Sequence, residues 1–140
     1  MPNFNVKKTM ERAYSGNVST FFNTKFLKQE KEKFIFEVTF PSETLNPFGF
    51  VQGGMITSAL DEVTSITVNL ISDDKKLPNS IDLHTSFHRP VKLGKVIIET
   101  KIIKIGKNVV SIEGKLFNSE NKIAASILHS AILTDLVQKK

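Results

Sequence analysis

The segment from Gln52 to about Ile71 constrains the fold more than any other part of the chain. Its apolar positions, Met55, Ile56, Ala59, Leu60, Val63, Ile66, Leu70 and Ile71, recur at spacings of three and four. That spacing predicts a helix buried along a broad stripe. Downstream the sequence reads as strand throughout, over about 80–88, 93–105, 108–118 and 122–135, with hairpin turns expected at about 106–108 and 118–122. Val96, Ile98, Thr100 and Ile102 alternate with Ile97, Glu99, Lys101 and Ile103, as one long strand between two environments would. A helix this widely apolar has to be wrapped by a sheet rather than laid on one. The expected class is α+β, an antiparallel sheet around one long central helix.

Upstream, residues 4–14 read as a short amphipathic helix, with Phe4, Val6 and Met10 among lysines. Two strands are expected next, over about 19–28 and 32–40, turning at "QEKEK". Phe34, Phe36, Val38 and Phe40 share one face of the second by strict alternation. That face is expected in the core. Pro41 and Pro47 bound a loop leading into the long helix. No internal repeat or linker interrupts the 140 residues, so one domain spanning 1–140 is expected.

Composition matters mainly for what it excludes. Without cysteine there is no disulfide framework and no thiolate metal site. The N-terminus lacks the apolar stretch of a secretory signal, and no apolar run is long enough to span a membrane, so a cytoplasmic location is expected. The net charge of +5 favours anionic partners. The lysines are scattered and no nucleic-acid-binding motif is present, so nucleic acid is not expected. His84 and His88, four residues apart on a strand, lie roughly 13 Å apart. That is too far for ligands of one ion, and neither metal nor cofactor is expected. His129 alternates with Ile127 and Ala131 and reads as a satisfied core histidine.

The start of the long helix, "FGFVQGGMITSALDEV", is unusual. It opens on Gly53 and Gly54 and carries Asp61 and Glu62 within its apolar half. The first amides of a helix are unpaired and sit at the positive end of its dipole. Glycine there allows a ligand close approach to the backbone. Such amides polarise a carbonyl and stabilise an oxyanion by about 3–4 kcal/mol per donor. Asp61 supplies the complementary chemistry, as general base or as nucleophile. Glu62 reads as a solvated neighbour and a fallback base. Gly54 and Asp61 are two turns apart, roughly 10 Å along the axis, which is too far for one helix to act alone. Two antiparallel helices in a symmetric dimer would bring the glycines of one copy beside Asp61 of the other.

Three segments together resemble the hotdog fold, and more narrowly the acyl-CoA thioesterases that include the phenylacetyl-CoA thioesterases. They are "NPFGFVQGGMITSALD", "SIDLHTSFHRPVKLG" and "KIGKNVVSIEGKLFNSENKIAAS", and the resemblance runs from about Asn46 to Leu136. The resemblance implies a thioester hydrolase acting on acyl-CoA, as a homodimer or homotetramer with interfacial active sites. It implies that Asn46 orients the carboxylate or the water, and that Ser80 helps hold the water. It implies that Arg89 and Lys107 meet coenzyme A phosphates. The family's usual histidine before the glycines is Gln52 here, which forms hydrogen bonds but cannot shuttle a proton.

Plainer readings stand beside these. Gly53 and Gly54 suit a tight turn, Gln52 a helix cap, Asn46 the turn before Pro47 and Ser80 a strand start. Arg89 and Lys107 suit solvated turns. A non-catalytic acyl-CoA-binding or regulatory protein of the same fold is the alternative function. A hydratase or dehydratase would want a histidine–acid pair near the helix, and no histidine lies in the motif.

Overall fold

The computed structural model describes residues 5–136. Helices α1 (Val6–Ser15) and α2 (Asn17–Phe21) precede strands β1 (Lys25–Glu30) and β2 (Lys33–Phe40). A loop with one 3-10 turn leads to α3 (Gly53–Ile71). Strands β3 (Lys76–Phe87), β4 (Gly94–Ile105), β5 (Val109–Phe117) and β6 (Ile123–Asp135) follow. The six strands form one antiparallel sheet in the order β1-β2-β4-β5-β6-β3.

The sheet wraps α3 as its apolar stripe requires. Ile56, Ala59, Leu60, Val63, Ile66 and Leu70 are buried against Phe34, Phe36, Val38 and Phe40 of β2, Ile98 of β4 and Leu116 of β5. Gly114 sets how closely the helix approaches. A β-carbon there would lie 3.0 Å from Ile127 Cγ2 and 3.2 Å from Thr64 Cγ2. The two layers also share a buried hydrogen bond, Thr67 Oγ1 to Thr100 Oγ1 at 2.6 Å. Arg12 of α1 pairs at 2.6 Å with the buried Asp74, just past the C-terminus of α3.

Two expectations need correction. Residues 19–21 are helical in α2, and the strand expected from 19 begins only at Lys25. Tertiary contacts decide this: Ser19 is buried and donates to Glu62 of α3, and Phe22 packs edge-on against Phe40 at 5.6 Å. The strand expected from about 80 begins at Lys76 and takes in Pro78. An edge strand tolerates proline when its nitrogen faces away from the ladder. Leu133, paired with Pro78, sends its N–H to Asn108 on its other side, so Pro78 faces the open edge. A bulge between Ser80 and Asp82 follows. The helix expected over 4–14 runs Val6–Ser15, and Phe4 lies outside the described residues.

Candidate active site

Helix α3 runs antiparallel to β3, and side-chain contacts fix their alignment. The ring of Phe87 lies against Gly53, where a β-carbon would meet it at 3.2 Å. Thr57 Oγ1 meets Thr85 Oγ1 at 3.0 Å. Near the far end, Asn69 Nδ2 donates to the Lys76 carbonyl at 2.9 Å. Between these contacts, Asp61 comes level with Ser80.

At its start, α3 is capped by Gln52, whose Oε1 accepts from the Met55 amide at 3.2 Å. Gly54 makes room for this cap, since a β-carbon there would lie 2.9 Å from Gln52 Oε1. The amides of Gly53 and Gly54 find no acceptor among the described residues, and Gly54 is exposed. Two donors at the positive end of a 19-residue helix therefore face outward. Asn46 organises the preceding loop. Its Oδ1 accepts from the amides of Phe48 at 2.9 Å and Phe50 at 3.1 Å, and no hydrogen bond links it to Asp61 among the described residues. The loop presents Phe48, which is 84% exposed.

Two turns along, Asp61 is 40% exposed, with Oδ1 3.9 Å from Nε2 of His129. The imidazole is fully buried. Its Nδ1 lies 2.8 Å from Thr64 Oγ1 and its Nε2 lies 2.8 Å from Ser80 Oγ. Burial lowers the pKa of His129, and the Asp61 carboxylate pulls it partly back up. The expectation of a satisfied core histidine holds. What the sequence left unseen is that the partners satisfying it are Thr64 and Ser80 and that Asp61 stands beside it. A histidine–acid pair thus lies near the helix although no histidine in the motif announces it.

This cluster is not a serine–histidine–aspartate relay. Such a relay needs the carboxylate on one ring nitrogen and the hydroxyl on the other. Here Ser80 and Asp61 both approach Nε2, while Nδ1 is engaged by Thr64. The cluster sets a hydroxyl beside a part-exposed carboxylate. Glu62 corrects its expected place as a solvated neighbour, because it accepts a hydrogen bond of 2.5 Å from the buried Ser19.

The two basic residues are far apart. Arg89 follows the Phe87 end of β3, where its guanidinium donates to the Ile123 carbonyl. With Lys92 and Lys95 it lines a cavity of about 310 Å³ that also touches Phe50. Lys107 sits in the β4–β5 turn, toward the opposite end of the sheet. Within one chain neither the two cations nor Gly54 and Asp61 converge.

Comparison with known proteins places this geometry among relatives. Residues 48–125 match the family model described as the thioesterase superfamily. A candidate esterase of Saccharolobus solfataricus is 28% identical over 121 residues, covering 86% of each chain. A thioesterase of Haemophilus influenzae superposes with a TM-score of 0.84 at 18% identity, over 98% of this chain and 95% of that one. A candidate thioesterase of Ralstonia eutropha, described as related to phenylacetic acid degradation, gives 0.80 at 25% identity, over 91% and 99%. A hypothetical thioesterase of Streptococcus pneumoniae, solved with coenzyme A, gives 0.78 at 14% identity, over 92% and 99%.

Proposed function

The chain belongs to the thioesterase superfamily, and we propose that it hydrolyses acyl- or aryl-CoA thioesters at a site shared between two copies. The observation that carries this reading is the pair of unpartnered amides at Gly53 and Gly54, on the same helix as a half-exposed Asp61. The thioester carbonyl oxygen would sit on those amides, which stabilise the oxyanion as it forms. Asp61 of the second copy would take a proton from water as the oxygen attacks the carbonyl carbon. Collapse of the tetrahedral intermediate then expels the coenzyme A thiolate, which takes up that proton and leaves the free acid. Gln52 keeps its amide on the helix start and orients without titrating.

The two-copy arrangement follows from the roughly 10 Å that two helical turns impose between Gly54 and Asp61. With the helices antiparallel, Arg89 of one copy and Lys107 of the other lie beyond the same end of the pair. Both would then face the phosphates of coenzyme A, with Asn46 holding the loop that leads into the amides. A coenzyme A-bound relative of the same fold supports this ligand class.

Thiol release from a panel of aliphatic and aryl-CoA substrates tests the proposal. Asp61→Asn is expected to lower kcat by about a hundredfold or more. Undiminished turnover in that variant would remove Asp61 from the chemistry. Tight binding of the whole panel without thiol release would instead favour the non-catalytic acyl-CoA binder.

A further inference from the structure

His129 stands outside the chemistry just described, yet it is a fully buried titratable group beside Asp61. Resting on the reading of Asp61 as the base, we infer that His129 is a positioning residue. It accepts the hydroxyl proton of Ser80, so that Ser80 turns a lone pair toward the attacking water.

Two helix carbonyls competing with one ring nitrogen for the Thr64 proton favour this direction. Thr64 Oγ1 lies 2.8 Å from the Leu60 carbonyl, 3.0 Å from the Asp61 carbonyl and 2.8 Å from His129 Nδ1. It has one proton to give, and carbonyl oxygens only accept. With that proton on the helix carbonyls, Thr64 can meet Nδ1 only as an acceptor, so Nδ1 carries hydrogen. A neutral ring then has a bare Nε2, which accepts from Ser80 Oγ at 2.8 Å. Burial of the ring lowers its pKa and so favours the neutral form.

The consequence reaches the water. A water seated between Ser80 and Asp61 has two hydrogens. One goes to the Asp61 carboxylate, which removes it; the other rests on the Ser80 lone pair. The oxygen's own lone pairs are then left to face the carbonyl carbon. Were Ser80 to donate to the water instead, it would occupy one of those lone pairs and slow the attack. Thr64 adds a second constraint, because it ties the imidazole to the turn of α3 that carries Asp61.

The first test needs no variant. Long-range proton–nitrogen NMR spectra of protein with labelled histidines, near neutral pH, report which ring nitrogen is protonated. His129→Gln identifies the resonance among the three histidines. Hydrogen on Nδ1 with a bare Nε2 is expected, and hydrogen on Nε2 would overturn the inference.

The second test is kinetic. His129→Leu is expected to lower kcat about tenfold or more while KM moves less than about twofold, because orientation of water acts after substrate binds. His129→Gln, whose amide oxygen can take the Ser80 proton, should recover most of that loss. Unchanged kcat in His129→Leu, or a Gln variant no better than Leu, would overturn the inference. Asp61→Asn assayed alongside separates the two claims. If it retains turnover, the base assignment fails, and the NMR result still decides how Ser80 and His129 share their proton.

Discussion

At Gln52 a side chain that could have served chemistry is occupied with structure. Its amide oxygen completes the first turn of α3, and Gly54 lacks a side chain partly so that this oxygen can reach. The substitution of glutamine for a titrating residue therefore costs the helix nothing, since capping needs only an acceptor. His129 has the opposite character, a titratable ring held where charge is unwelcome. Its folded pKa lies below the ordinary 6.5, so above that value the folded and unfolded chains are equally deprotonated. Below it the unfolded chain binds a proton that the folded chain resists, and stability falls as the pH drops from 6.5 toward the lowered value. Asp61 is the charged group facing the ring; β3 offers it Ser80, and its cross-strand neighbours are Leu83 and Ile112. Thermal melts across pH 5–8 should show this acid loss in the native protein and a flatter profile in His129→Gln, about the window where a histidine titrates. Parallel profiles would assign the acid sensitivity to other groups.

Among the elements, α3 and strands β4 to β6 were legible because their patterns are long and agree with their burial, whereas β3 was legible only from about residue 80. Periodicity placed the helix within a residue of its observed ends, and the alternation of β4 and β6 survives in the structure. The strand expected from 19 failed because Phe21 and Phe22 look like strand residues locally. Their position is set by distant contacts, Glu62 for the helix and Phe40 for the ring. The His129 cluster was hidden for a related reason. Which residue of β3 meets which of β6 depends on the bulge after Ser80, and no local pattern announces a bulge. Gly53, Gly54 and Asp61 could be picked out because their spacing along one helix is a matter of counting. Gly114 was equally invisible, though the fold depends on it. A Gly114→Val change should drive the side chain into Ile127 and Thr64 and cost about 1–3 kcal/mol of stability, as overpacking does. Chemical denaturation measures this directly; an unshifted midpoint would mean that the helix can back away from the sheet freely.

For the whole molecule, the decisive question is whether one chain holds a complete site. The complementation of two inactive variants answers it. Asp61→Asn and Gly54→Leu, each inactive alone, should regain about a quarter of wild-type activity when unfolded together and refolded as a mixture, because half the dimers are mixed and each has one intact site. No recovery would mean that amides and acid are drawn from the same chain. The open edge of β3 adds a further consequence. Pro78 offers no hydrogen to an incoming strand, and the bulge at Ile81 breaks the spacing of the next few groups. Only the stretch from Asp82 to Phe87 remains regular enough to be copied by a neighbour. An added strand therefore finds regular partners over that stretch alone, and runaway stacking of chains is discouraged by the same two irregularities.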